Sequence, residues 1–294
     1  MNQRLTIAHW IAQACEQLAP ITETPRLEAE LLLARALDVP RASLLARLHE
    51  TADLAAATPL LARRLNHEPL AHIFGEWEFF GLSMLVQAPL LTPRPETEHL
   101  VEAVLAHLTA QTTTDRPCVA DVCCGTGCVA TAIAWHAPHA DVYACDIRAD
   151  AVDITRRNAE RHHVRVTCVQ GDLFAPLDAR CNRFDVVAAN PPYVPEHEWA
   201  SLSPVITKHE DPQALLAGAD GLDILRRIIR DARTRLKPGG MLALEVGEDQ
   251  YESVAALMHD NDFESVRAIK DLARINRIAV GLCAHPMSPA SPQE

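Results

Sequence analysis

Two patterns of apolar positions divide the chain. Over residues 1 to about 67 the spacing is helical, with Leu5, Ile7, Ala8, Ile11, Ala12 and Cys15 in one stripe and Leu27, Ala29, Leu31, Leu32 and Ala36 in a second. Pro20, Pro25 and Pro40 punctuate these helices. A further helix is predicted from Thr51, whose hydroxyl suits an N-cap, to Leu65, with Leu54, Ala57, Leu60, Leu61 and Leu65 turned inward. Together these predict a small helical-bundle domain over 1–75. From Glu76 the spacing changes to near alternation: Trp77, Phe79, Phe80, Leu82, Met84 and Val86 about Gly81 predict a short β-hairpin. Pro93 and Pro95 hold an extended entry to a helix ending near Ala110, and in its first turn Glu96 and Glu98 read as ordinary capping. Hairpin and helix form a linker over 76–115 that closes on the polar loop Gln111-Thr112-Thr113-Thr114-Asp115.

Residues 116–284 repeat strand and helix. Strands are predicted near 118–122, 141–145, 165–169, 185–189, 240–246, 263–269 and 276–283, and helices near 127–136, 149–161, 222–235 and 249–259. This alternation predicts an α/β fold: a Rossmann-like, mainly parallel seven-stranded sheet covered by helices, with ligands at the carboxyl ends of its strands. The link from Lys270 to Arg274 is too short for a helical crossover, so the last two strands must be antiparallel. That sets this sheet apart from an ordinary dinucleotide-binding one. The Pro/Ser-rich stretch 285–294 is expected to be a disordered tail.

Composition narrows the class. The 294 residues are 48% hydrophobic, enough for two real cores, and no apolar run is long enough to span a bilayer. The formal charge of -12 offers no basic field for a nucleic-acid backbone, which argues against direct nucleic-acid binding. Nine cysteines without a CxxC pair, and a start Met-Asn-Gln-Arg-Leu-Thr without an apolar signal, fit a reducing cytoplasm. Cys123, Cys124 and Cys128 cluster but lack a second ligand pair, so no metal site is expected; they read as small residues packed in a turn. His136, His139, His162 and His163 fall at helix ends and read as solvated surface.

The candidate chemistry lies at four strand ends. After the first strand, Asp121-Val122-Cys123-Cys124-Gly125-Thr126-Gly127 opens a helix, and Gly125 and Gly127 allow a sharp turn and a close approach to a ligand. Asp146 ends the second strand, where an acidic residue can hold ribose hydroxyls. After the third, Asp172 can accept from an adenine amine while Leu173 lies against the base. A nucleotide site of this kind suits a nicotinamide dinucleotide or S-adenosylmethionine. The dinucleotide pattern wants a third glycine, and Gly125-Thr126-Gly127-Cys128-Val129-Ala130 lacks it, so S-adenosylmethionine fits better.

Asn190-Pro191-Pro192-Tyr193 ends the fourth strand. Two prolines remove two backbone donors and restrict the residues before them, leaving mainly acceptors. The Asn190 side-chain oxygen and the Pro191 carbonyl can each take one hydrogen of a substrate NH2 group, and Tyr193 can cover a planar group. A proline-rich loop with no chemistry is the plain alternative. Glu210 and Asp211 either frame the substrate entrance or form a solvated acidic loop.

With these motifs the chain resembles the glutamine methyltransferases that modify peptide-chain release factors. The resemblance runs from Glu68-Pro69-Leu70-Ala71 through Gly75-Glu76-Trp77-Glu78-Phe79-Phe80-Gly81-Leu82 and Pro93-Arg94-Pro95-Glu96-Thr97-Glu98 to Asn190-Pro191-Pro192-Tyr193. It continues in Asp220-Gly221-Leu222 and Arg277-Ile278-Ala279-Val280-Gly281. It implies a helical domain that docks the release factor, and a second domain that methylates the glutamine of a Gly-Gly-Gln loop with S-adenosylmethionine. A monomer is expected. The family has Asp-Leu-Gly-Thr-Gly-Ser-Gly where this chain has Cys123 and Cys124 in place of the first glycine and the threonine. Asn-Pro-Pro-Tyr is shared with DNA adenine methyltransferases, which would need a basic channel, and a sister family methylates a ribosomal-protein glutamine. The Pro-Arg-Pro-Glu-Thr-Glu linker resembles the release-factor type more closely. A binding module that no longer turns over is a further alternative, and the intact motifs at four strand ends speak against it.

Overall fold

The computed structural model describes residues 6–111, 116–177 and 183–284. Leu5, most of the polar loop and the expected tail over 285–294 lie outside the described residues. The chain forms two compact units, Met1–Glu76 with Ser203–Glu210, and Trp77–Leu202 with Asp211–Glu294. No helix among the described residues is long and apolar enough to cross a membrane.

The first unit holds α1 (Ile7–Leu18), α2 (Pro25–Ala36), α3 (Arg41–Leu45), α4 (Ala57–Leu65) and α5 (Leu70–Phe74). Thr6 caps α1 by accepting from the His9 amide. The stripe that α1 buries is Ile7, Trp10, Ile11, Ala14 and Leu18, while Ala8 and Ala12 are exposed, because Trp10 and Leu18 have more apolar surface to remove from water. Thr51 does not start a helix: its backbone bridges to Thr6, and Asp53 turns the chain by accepting from the Ala55 amide, so α4 begins only at Ala57. Leu27, expected inside, is 40% exposed, and two carboxylates of the same helix take the inner positions. Glu28 is paired with Arg64 at 2.6 Å, and Glu30 with Arg26 and Arg41 at 2.9 and 2.7 Å.

The second unit opens with the hairpin β1 (Glu76–Phe79) and β2 (Leu82–Leu85), followed by α6 (Glu98–Ala110). Then come β3 (Cys118–Val122), α7 (Cys128–His136), β4 (Asp141–Asp146), α8 (Ala149–Arg161), β5 (Val166–Gln170) and β6 (Phe184–Ala189). The short helix α9 (Pro204–Thr207) belongs to the first unit, and α10 (Asp223–Arg235), β7 (Leu236–Glu245), α11 (Tyr251–Asp260), β8 (Phe263–Lys270) and β9 (Asn276–Cys283) complete the chain. Among the described residues seven strands form one sheet in the order β5-β4-β3-β6-β7-β9-β8. β3 pairs in parallel with β4 and β6, and β9 runs antiparallel to both β7 and β8, as the short link requires.

Strand residues are apolar on both faces because both are covered. Val119, Val142, Ala144, Val186 and Ala188 share a core with Leu100 and Val104 of α6 and Ile133 of α7. Their neighbours Ala120, Val122, Val187, Ala189 and Leu244 point the other way, to Leu225, Ile228 and Ile229 of α10 and Val254 and Met258 of α11. Each fully buried leucine or isoleucine on these faces contributes roughly 1.5–3 kcal/mol. The register aligns Val122 with Cys145 and Ala189, so the residues just beyond β3, β4 and β6 emerge at one edge of the sheet.

Candidate active site

The loop after β3 is pinned by β3 itself, β4 and α8. The Cys124 amide donates to the Cys145 carbonyl (3.0 Å), the Gly125 amide to Asp146 Oδ2 (2.9 Å), and the Ala130 amide to Asp121 Oδ2 (3.0 Å). From α8, the Thr155 hydroxyl donates to the Gly125 carbonyl (3.2 Å), and Asn158 Nδ2 to the Thr126 carbonyl (2.9 Å). Asn158 also bonds both backbone groups of Leu85, so one buried amide joins the loop to the hairpin.

Gly127 has φ +73°, and a Cβ there would lie 2.5 Å from Thr155 Cγ2. Its need for hydrogen is therefore packing against α8 rather than approach to a ligand. A Gly127→Ala variant is expected to lose about 1–3 kcal/mol of stability from overpacking alone, measured by urea denaturation; an unchanged midpoint would refute the close packing. Cys123, where the family has glycine, has φ +62°, a left-handed conformation that costs a side chain roughly 1–2 kcal/mol. Cys123 adopts this turn with its thiol packed against the apolar core.

A cavity of about 220 Å³ opens at this edge, lined by Cys123, Gly125, Asp146, Asp172, Leu173, Asn190 and Pro192 among the sequence-derived residues. A smaller one, about 40 Å³, shares Cys123, Gly125 and Asn190 and adds Asp121, Cys124 and Thr126. Gly127, Pro191 and Tyr193 line neither. Asp146 accepts from two amides, Gly125 and Arg148 (2.9 and 3.0 Å), and burial raises its carboxyl above the ordinary range. Asp121 is more extreme: buried in the sheet edge, its carboxyl is pushed up to about 8 by desolvation. Burial likewise raises the thiols of Cys123, Cys124 and Cys145 and takes Cys128 to about 12, which makes them poor nucleophiles and suits packing in a turn. Asp172 is tied at the rim to Arg227 (2.6 Å), and Leu173, with φ +49°, closes one wall.

Apolar walls with a carboxylate at the lip, an acceptor for hydroxyl donors, fit an adenosine with its ribose hydroxyls. Sequence reasoning missed much of the surrounding frame. Glu98 does not act as a helix cap; its Oε1 accepts from the Phe80 amide (2.8 Å) and fastens the hairpin. Asp211 is no solvated acid: it pairs with Arg148 and caps the following turn through the Gln213 amide, and Glu210 is buried. His162 is not free surface either, since its Nε2 meets the Ser83 carbonyl at 2.9 Å and its ring packs edge-on against Trp135.

The loop after β6 is held just as firmly. The Val194 amide donates to the Leu215 carbonyl (2.8 Å) and the Val194 carbonyl accepts from the Ala217 amide (3.0 Å), while Gln250 Nε2 donates to the Tyr193 carbonyl (2.8 Å). Gly221, φ +73°, lies so close to that carbonyl that any Cβ would collide with it, which explains the Asp-Gly-Leu motif. Asn190 donates its Nδ2 to Thr97 Oγ1 at 3.1 Å, across 93 positions of sequence. Tyr193 is largely buried, and burial raises its hydroxyl well above the usual value.

Residues 9–75 match the PrmC N-terminal domain, and residues 99–207 the methyltransferase small domain. The release factor glutamine methyltransferase of Geobacter sulfurreducens is 38% identical over 265 residues, covering 88% of this chain and 90% of that protein. The one from Coxiella burnetii is 36% identical, covering 94% and 98%. Among solved structures, the T. thermophilus 16S rRNA N2 G1207 methyltransferase, a complex with AdoMet and guanosine, superposes with a TM-score of 0.51 at 17% identity over 70% of this chain and 49% of that one; it shares the fold. The extent of these matches, from the helical unit through the Asn-Pro-Pro-Tyr loop, shows that the chain belongs to the release factor glutamine methyltransferase family.

Proposed function

We propose that the protein transfers a methyl group from S-adenosylmethionine to the side-chain amide nitrogen of the glutamine in the Gly-Gly-Gln motif of peptide-chain release factors. The observation that carries the reading is the Asn190 amide at the end of β6: Asn190 lines the cavity, and with its nitrogen end donating to Thr97 its oxygen is available as an acceptor. Bound S-adenosylmethionine supplies an electrophilic methyl on a sulfonium. For it, Asp146 would hold the ribose hydroxyls, Leu173 would lie against the adenine, and Asp172 would accept from the adenine amine. Asp121, Cys123, Cys124, Gly125, Thr126 and Gly127 build the turn that receives the remainder, and their backbone bonds to β4 and α8 support that role.

A carboxamide nitrogen is a poor nucleophile because its lone pair is delocalised. Asn190 Oδ1 and the Pro191 carbonyl, by accepting its two N–H groups, orient that lone pair and favour the positive charge that develops on nitrogen. Pro192 stiffens the loop and Tyr193 covers the planar amide. The proton leaves after transfer, so no carboxylate base is required at attack. The helical unit is the docking domain for the release factor. This reading makes the enzyme a cytoplasmic monomer whose partner is a protein.

The test is transfer of labelled methyl to a purified release factor, to a copy with its Gly-Gly-Gln glutamine changed, and to a DNA duplex. Label in the intact factor alone is expected; label in DNA, or equal label in the changed factor, would overturn the reading.

A further inference from the structure

Thr97, the partner of Asn190, and Glu245 are each 2% exposed. Glu245 ends β7, the strand beside β6, and Thr97 lies in the turn before α6. The Thr97 hydroxyl accepts from Asn190 Nδ2 at 3.1 Å, and the buried Glu245 carboxyl beside it is the acceptor to which its own hydrogen can be given. A hydroxyl has a single hydrogen. Once it is given to Glu245, Thr97 presents only lone pairs to Asn190, and only the NH2 end of the amide satisfies them.

We propose that Thr97 and Glu245 are positioning residues: ionised Glu245 sets the direction of the Thr97 hydroxyl, and that hydroxyl holds Asn190 with its oxygen, rather than its nitrogen, toward the substrate. The inference rests on the methyl-transfer reading above and adds a control to it. When Glu245 is protonated on the oxygen that faces Thr97, its O–H donates to Thr97, the Thr97 hydrogen turns to Asn190, and the amide answers with its oxygen. Asn190 then offers two donors to a substrate nitrogen that also brings donors. Productive binding of that nitrogen is lost.

Burial raises the Glu245 carboxyl to about 7, with Glu96 raising it further and Arg277 and Arg94 opposing. Tyr193 and Cys128, from the adjoining loop and α7, face the same carboxyl. Its Oε2 is buried without a hydrogen-bond partner among the described residues, so only the charges of Arg277 and Arg94 assist Thr97 in favouring the ionised form. The productive state is therefore present above about 7 and is lost as pH falls through it.

The experiment uses the full chain with Thr97→Val, Thr97→Ser and Glu245→Gln. Thr97→Val is expected to lower kcat about 10²-fold through misplacement of the acceptor, with KM for the release factor within about twofold of wild type, and Thr97→Ser to restore it. The wild-type kcat should rise through pH 7 and that of Glu245→Gln should be flat across the same range. Independently of turnover, a 13C-carboxyl NMR titration of the ligand-free protein should find Glu245 titrating higher in Thr97→Val, which has lost the donated hydrogen bond. Wild-type kcat in Thr97→Val, equal loss in Thr97→Ser, an unaltered pH profile in Glu245→Gln, or an unmoved Glu245 titration would each overturn the proposal. Absence of transfer by the wild-type protein would sink the methyl-transfer reading, while the NMR titration would still decide for or against the relay.

Discussion

Asn190→Ala is expected to lower methyl transfer by about 10²–10³-fold, the loss typical when one transition-state hydrogen-bonding group is removed, while cofactor binding falls only slightly. In the proposed reading the side chain supplies an acceptor to the substrate, and alanine removes it together with the partner of Thr97. The remaining contacts of the cavity, Asp146, Leu173 and the Gly125 turn, are untouched. Single-turnover transfer measured beside calorimetric binding of S-adenosylhomocysteine separates the two effects. Wild-type turnover by this variant would remove Asn190 from the chemistry, and loss of binding equal to the loss of turnover would make it a cofactor contact only.

The largest effect on stability is expected from Arg64→Ala in the helical unit. Arg64 donates through Nε and Nη2 to the two oxygens of Glu28, at 2.6 and 3.1 Å, and Glu28 also accepts from Thr22 at 2.8 Å. The paired side chains are only 6% and 11% exposed. Truncating one partner leaves a buried carboxylate without its countercharge, a loss of about 3–5 kcal/mol. The whole of a small domain's stability is roughly 5–15 kcal/mol, so the helical unit should unfold well before the methyltransferase unit. Calorimetry should then separate two transitions where the wild type shows them closer together. Replacing both residues with apolar side chains of similar volume should recover most of the loss, because the pair is costly to desolvate and Arg64 Nη1 already lacks a partner among the described residues. A shift below about 1 kcal/mol for Arg64→Ala would place the pair in effective contact with water.

Local pattern carried most of the sheet. Each predicted strand lies within a few residues of an observed one, β7 alone starting earlier, at Leu236, where it pairs with Phe184 across a register shift and Lys237 Nζ is bound to Asp185. Strand and helix are written in neighbouring residues, through the switch from a period of two to one near four, and the short link after β8 left no choice of direction. Where local chemistry competed with long-range pairing it misled. Thr51 has the right hydroxyl for a cap, yet its backbone is used by Thr6, 45 positions away, and Leu27 has the right hydropathy for a core that Glu28 and Glu30 enter instead by bringing arginines with them.

The same division runs through the candidate site. Sequence alone determined that a glycine turn, two acidic strand ends and an Asn-Pro-Pro-Tyr loop exist, because glycine, proline and strand termini announce themselves in adjacent residues. Only the tertiary structure decided that Gly127 serves α8, that Thr155 and Asn158 clamp the turn, and that Thr97 bonds Asn190 beside the buried Glu245. The physical reason is that a hydrogen-bond partner is chosen by distance in space, and its polarity by the protonation of a group further along, neither of which any local window of sequence contains.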